Sequence, residues 1–147
     1  MKMTRAASGN GIYSVMTFCI VMLLAACGRG GGNDKASDEG TLEAPITLTV
    51  GTSHNGSINK FGTSYYRFTT ASNSIHRISL TDTESDLYWT LFSGSTFSGF
   101  ILECDASDRG DEICTSPSAL TAGTTYYFTV DEFGNLAGTY KLQVDAI

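Results

Sequence analysis

"LTAGTTYYFTVDEFGNLAGTYKLQV", residues Leu120 to Val144, alternates apolar and polar side chains on either side of a glycine-containing turn. Tyr126, Phe128 and Val130 share one phase of the first arm, and Tyr140, Leu142 and Val144 share one phase of the second. A period of two puts each trio on one face of a pleated strand. "FGNLAG" between the arms supplies the Gly and Asn that reverse a chain. Two half-buried strands are expected here, and the same pattern extends back towards the N-terminus. "ITLTV" (Ile46 to Val50) sets Ile46, Leu48 and Val50 against threonines, and "SYYRFTT" (Ser64 to Thr70) turns Tyr66 and Phe68 inward. "IHRISL" (Ile75 to Leu80) has Ile78 and Leu80 in phase with His76, and "DLYWTLF" (Asp86 to Phe92) has Leu87, Trp89 and Leu91 in phase. "FILEC" and "EICTS" flank an acidic loop, while "HNGS" and "SNS" read as turns. No segment beyond the N-terminal apolar run holds a helical period over three turns. The expectation is an all-β, jelly-roll-like antiparallel β-sandwich over residues 45–147.

At 147 residues the chain has room for one such domain. Its net charge is −6, and falls to −8 without Lys2 and Arg5. An acidic surface of that size disfavours nucleic acid and offers no basic patch to anionic lipid. Cations and neutral ligands remain open.

Residues 1–14 carry Lys2 and Arg5 and no acid, and "VMTFCIVMLLAA" (Val15 to Ala26) has no charge. Twelve residues are short for a bilayer span, which needs about 20, but suit the apolar core of a secretory signal. Leu24-Ala25-Ala26-Cys27 resembles the lipobox of bacterial lipoproteins. That resemblance implies signal-peptidase recognition at Leu24, Ala25 and Ala26, cleavage before Cys27, and a diacylglycerol thioether with further acylation on Cys27. Each buried methylene adds roughly 0.8 kcal/mol of membrane affinity, so several chains together anchor stably. Gly28, rather than Asp, after the cysteine resembles sorting to the outer membrane of a bacterial cell envelope. "GRGGGNDKASDEGTLEA" (Gly28 to Ala44) reads as a flexible tether. The expected organisation is therefore a signal peptide over 1–26, a lipidated cysteine and tether over 27–44, and the sandwich beyond. Cys19 leaves with the signal and Cys27 is lipidated, so Cys104 and Cys114 remain as a pair in an oxidising compartment. A metal site is the competing use of that pair. It needs two further soft ligands, and only His54 and His76 exist, without ligand-like spacing.

The order of "ITLTVGTSHNGSINKFGTSYYRFTT", "SDLYWTLF" and "LTAGTTYYFTVDEFGNLAGTYKLQV" resembles the bacterial pre-peptidase C-terminal (PPC) domain over about Ile46 to Val144. The matching features are Gly56-x-Ile58, Tyr65-Tyr66-x-Phe68, Ser85-Asp86-Leu87-Tyr88 and the ending "AGTTYYFTV" with "GTYKLQV". The resemblance implies a jelly-roll-like sandwich of the kind appended to secreted peptidases, with relatives in clostridial collagenases that bind collagen and Ca²⁺. In those relatives acids come from a Glu-Pro-Asn stretch before the first strand and from Asp just before the Tyr-x-Phe strand. Here Gly62-Thr63-Ser64 holds no carboxylate and no Glu-Pro-Asn precedes Ile46. The chain has its own acidic loop, "CDASDRGDEIC", with Asp105, Asp108, Asp111 and Glu112. It is either a solvated loop tip softened by Arg109 or a Ca²⁺ site outside the family pattern, since its spacing is not that of an EF-hand.

Catalysis is not expected. His54 sits in "SHNG", His76 is in phase with core residues, and "GSTFSG" (Gly94 to Gly99) fails the G-x-S-x-G elbow by one residue. Binding is the better class. Tyr65, Tyr88, Phe92 and Tyr127 lie in the phase opposite the core, where aromatic rings either stack on a glycan or extended protein ligand or pair across strands with no ligand. The expectation is a membrane-anchored, non-catalytic module for protein or polysaccharide. The alternatives are an envelope lipoprotein whose sandwich edge pairs with a protein partner, or a small hydrolase.

Overall fold

The computed structural model describes residues 37–147, which form nine strands and no helix. The strands are β1 (Ile46–Thr47), β2 (His54–Ile58), β3 (Thr63–Thr69), β4 (His76–Thr81), β5 (Leu87–Phe92), β6 (Phe100–Cys104), β7 (Glu112–Thr115), β8 (Thr125–Glu132) and β9 (Gly138–Ala146). They make a five-stranded sheet ordered β1-β3-β8-β5-β6 and a four-stranded sheet ordered β2-β9-β4-β7. The fold is the all-β sandwich expected. Every pairing is antiparallel except β1 with β3, where Ile46 lies opposite Tyr66 in parallel.

The period-two phases fill one core. Tyr66, Phe68, Leu87, Trp89, Leu91, Tyr126, Phe128 and Val130 come from the larger sheet, and Ile58, Ile78, Leu80, Tyr140, Leu142 and Val144 from the smaller. A fully buried aromatic side chain removes roughly 150–250 Å² from water. At about 25 cal/mol per Å², Trp89, Tyr66, Phe68 and Phe128 dominate the driving force. The ring of Tyr66 stacks on that of Phe128 at 5.3 Å. Trp89 donates its indole N–H to the Glu112 carbonyl at 3.2 Å, so no donor is stranded. His76 is wholly buried, its Nδ1 bonded to the Ser74 carbonyl and its ring near Phe68. The disulfide Cys104–Cys114 joins β6 to β7, the matching edges of the two sheets.

Three local expectations change. The strand expected over Ile46 to Val50 is ordered as a strand only at Ile46–Thr47, after which Leu48 turns into the core and donates its amide to the Arg67 carbonyl. "HNGS" is not a turn but most of β2, paired with β9 from His54 opposite Leu142 to Ile58 opposite Gly138. It looks like a turn because its inward position is Gly56, which leaves room for a ring in place of a side chain. The Tyr140 ring lies directly across Gly56. Finally, the tether does not run free to Ala44. Ser37 exchanges hydrogen bonds with Ser57, Asp38 accepts the Asn59 amide at 2.8 Å, and Glu39 donates its amide to Ser64 Oγ at 2.9 Å. The Glu39 carbonyl accepts the Tyr65 amide at 2.7 Å. Gly40 follows at φ +65°, against the Tyr65 carbonyl, where a side chain would collide.

This N-terminal strap carries a carboxylate to a buried tyrosine pair. Tyr66 and Tyr140, one from each sheet, meet hydroxyl to hydroxyl at 2.5 Å. Tyr66 donates onward to Glu39 at 3.1 Å, and His54 Nε2 reaches the same carboxylate oxygen at 2.5 Å. Burial, reinforced by Tyr140 and Glu39, pushes the Tyr66 hydroxyl far above the ordinary phenol range. Burial likewise pushes Tyr140 up to about 12. Both phenols stay protonated and join the sheets. Because the Tyr140 ring needs the space at Gly56, Gly56→Ala is expected to destabilise the domain by about 1–3 kcal/mol. A urea transition should show a lower midpoint with an unchanged slope.

Candidate functional site

The outer face of the five-stranded sheet carries the four aromatic residues singled out from the sequence, and its register sorts them into rows. Arg67 lies opposite Tyr127 and Tyr127 opposite Phe92; Tyr65 lies opposite Thr129 and Thr129 opposite Thr90. Tyr88 stands in another row, opposite Asp131. The ring that unites the first three comes from elsewhere. Phe97, at the tip of the β5–β6 hairpin, meets Tyr65, Tyr127 and Phe92 edge to face at 5.0, 5.6 and 5.9 Å. Thr90 and Thr129 are buried although they point outward, so the middle of this face is covered.

Phe97 has φ +51°, a left-handed conformation that costs a non-glycine residue about 1 kcal/mol or more. Its amide donates to the Gly94 carbonyl at 3.0 Å to close the turn. Three edge-to-face pairs at roughly 0.5–1.5 kcal/mol each outweigh that strain. "GSTFSG" gives no period, so the sequence offers a turn there and no hint of where the ring goes. Tyr65, Phe92 and Tyr127 thus form one cluster under Phe97, and Tyr88 stays apart. Tyr88 is half-buried, and desolvation together with Asp131, Glu103 and Asp105 raises its hydroxyl above the usual phenol value.

A second apolar feature, which the sequence did not reveal, lies at one end of the sandwich. The registers bring the β2–β3, β4–β5, β6–β7 and β8–β9 connections to that end. The strap enters there as well, at Asn59 and Gly62. Glu132, only 5% exposed, accepts the Phe61 amide on one carboxylate oxygen at 2.7 Å and the Leu136 amide on the other at 2.8 Å. One carboxylate therefore fixes both loops, and they present Phe61 (65% exposed), Phe133 (75%) and Leu136 (44%) to solvent. Phe61 is held at φ +54°, with the Lys60 ammonium 5.2 Å from its ring centre.

The other half of this end is acidic. Glu112 is fully buried, and its carboxylate accepts the amides of Ala106 and Ser107 and the Ser107 hydroxyl. It braces the base of the disulfide loop, which corrects the expectation that it faces solvent or a cation with its neighbours. Asp111 accepts the Asp82 amide at 3.3 Å, while Asp105 and Asp108 stay exposed. Among the described residues no group of three or more His, Cys, Asp or Glu side chains converges as a metal ion requires. Ca²⁺ takes six to eight oxygens, and Asp38 and Glu39 before β1 are already committed to Asn59, His54 and Tyr66. The residues present do not fit the calcium site that the resemblance to the PPC domain implies.

Among the described residues neither histidine ring is hydrogen-bonded to a Ser, Thr or Cys side chain. His54 is bonded to Glu39 and His76 to a backbone carbonyl. Leu24, Ala25, Ala26 and Cys27 lie outside the described residues.

No family model matches the chain, and no curated protein does. Among solved structures the chain is similar to the pre-peptidase C-terminal domain of a collagenase from Bacillus anthracis. The TM-score is 0.52 at 22% identity, covering 77% of this chain and 99% of that one. It is also matched to PliG of Aeromonas hydrophila, a periplasmic inhibitor of g-type lysozyme, at 13% identity and a TM-score of 0.49, over 74% of this chain and 99% of that one. The first likeness is one of fold.

Asp86 records the crowding of acids at this end. Partial desolvation, followed by Asp105, Asp108, Glu112 and Glu132, raises its carboxyl above the ordinary range. The folded state then holds that proton more readily than the unfolded chain does. Its charged form therefore weakens folding at neutral pH, and the penalty fades as pH falls through the raised value. Asp86→Asn is expected to stabilise the domain at pH 7 by about half a kcal/mol or less, its charge being well solvated. Melting curves across pH should show that gain vanish on acidification.

Proposed function

We propose that this chain is a lipid-anchored, extracytoplasmic, non-catalytic binding module that holds a protein or glycan ligand on the outer face of its five-stranded sheet. The observation that carries the ligand reading is the half-exposed cluster of Tyr65, Phe92 and Tyr127 around Phe97. A backbone-strained ring over other rings is a preformed surface for stacking against a sugar or an extended chain. Arg67, opposite Tyr127, donates from Nε to Thr47 at 2.8 Å and adds a cationic edge. The Cys104–Cys114 disulfide supports an oxidising compartment. The apolar run ending in Leu24-Ala25-Ala26-Cys27 supports anchoring at Cys27 and a place in the cell envelope. The likeness to a domain of a collagenase supports an accessory role.

Pairing of a sandwich edge with a partner strand is the weaker reading. β1 is two residues long, β7 is four, and the β6 and β7 edges are tied by the disulfide, which blunts them as templates.

Retention on immobilised polysaccharides and matrix proteins tests the ligand reading. Tyr127→Ala is expected to lower retention while leaving the unfolding free energy from urea titration within about 1 kcal/mol of the parent, and Tyr88→Ala should have the smaller effect because it lies outside the cluster. Unchanged retention in both variants would remove the face as the site. Cys27→Ser should release the chain from membranes or leave its precursor uncut; a processed, membrane-bound variant would refute the anchor.

A further inference from the structure

Three of the seven large apolar side chains exposed among the described residues, Phe61, Phe133 and Leu136, sit where the N-terminal strap arrives. Asp38 is bonded to Asn59 and lies against Gly62, the turn that carries Phe61 between them. Phe133 and Leu136 are locked to the same turn through Glu132. Docking of the strap from Ser37 onward leaves only residues 28–36 between the domain and Cys27. Nine residues reach no further than roughly 30–32 Å whatever their conformation. On the anchoring reading above, this end of the sandwich is held within reach of the headgroups.

From this we infer that Phe61, Phe133 and Leu136 form a membrane-docking tip, which seats the chain-entry end of the sandwich in the interfacial layer of the bilayer that holds its lipid anchor. Phe61 lies outside the core in a left-handed conformation that interior packing does not repay, and the rigid bond to Glu132 keeps it displayed. Two phenylalanines and a leucine match the depth of about 5–10 Å at which apolar side chains enter the boundary of headgroups and acyl chains. Lys60, beside Phe61, places its ammonium at headgroup level. The acidic loops at this end hang from the β4–β5 and β6–β7 connections, on the side away from the strap. Docking on the Phe61–Phe133–Leu136 half tilts the domain and lifts Asp105 and Asp108 away from anionic lipid, while Asp86, whose carbonyl accepts the Phe133 amide, stays beside the tip.

The test uses the full-length, lipidated chain in vesicles of phosphatidylethanolamine and phosphatidylglycerol, with and without lipids brominated at the shallow end of the acyl chains. Three separate variants, Phe61→Trp, Phe133→Trp and Phe100→Trp, report position. Phe100 is 65% exposed but begins β6 at the opposite end, opposite Phe92, and Trp89 gives a constant core background. All three replace exposed side chains, and Leu136→Trp stands in for either tip variant whose urea transition is altered. At the tip, the new tryptophan should shift to the blue and lose emission on brominated lipid, at low and high salt alike, while the one at position 100 does neither. If the tip tryptophans are unquenched on a chain that carries lipid at Cys27 and floats with the vesicles, the docking tip is refuted and the anchor stands. If they are unquenched in vesicles but shielded in native membranes, the patch belongs to a protein and the inference is equally refuted. Should mass spectrometry find Cys27 unmodified and the chain fail to float, the anchoring reading falls and the tip falls with it.

Discussion

A carboxylate taken out of water must find donors, and this fold meets that demand with the backbone amides of its own loops. Glu132 illustrates the bargain most clearly. Removing an ionised carboxylate from water costs several kcal/mol, and amide donors to a charged acceptor return about 1.5–3 kcal/mol each. The β2–β3 and β8–β9 connections have amides that no neighbouring strand can take, since they lie beyond the last ladder bonds. Glu132 accepts one from each and makes two loops into one body. Glu112 does the same inside the disulfide loop, while Glu39 of the incoming strap finds its donors in the His54 ring and the Tyr66 hydroxyl. The conformation of the whole end follows from where these carboxylates sit.

The strands were legible because their signal is local. An apolar residue at every second position names a buried face wherever the chain is straight, and the phases of Tyr126, Tyr140, Tyr66 and Leu87 all point to the core in the structure. β2 was hidden because its central inward position is a glycine, and with Ile58 as its one buried apolar side chain the strand has too short a period to read. Glu39 and Glu112 look solvated in the sequence for a related reason. Charge in a glycine-rich segment or a loop signals solvent by composition, yet both are spent on internal donors that only the tertiary fold brings near.

The candidate site divides along the same line. Tyr65, Phe92 and Tyr127 could be assigned to one face by phase alone, but their convergence depends on Phe97, whose ring folds back from a hairpin across three strands. Strand phase says which side of a sheet a residue occupies and nothing about what a loop lays over it. Phe61, Phe133 and Leu136 belong to no periodic segment at all. Their grouping comes from two connections far apart in sequence that share one acceptor.

The strap has a mechanical meaning as well. Ser37 and Glu39 are tied to Ser57 and His54 of the smaller sheet, while Glu39 is tied to Ser64, Tyr65 and Tyr66 of the larger. A pull arriving from residues ahead of Ser37 is therefore split between both layers of the sandwich. A strap bonded to one edge strand would unzip it bond by bond. The Tyr66–Tyr140 pair joins the same two layers behind it, so a load on the strap would reach both sheets at once.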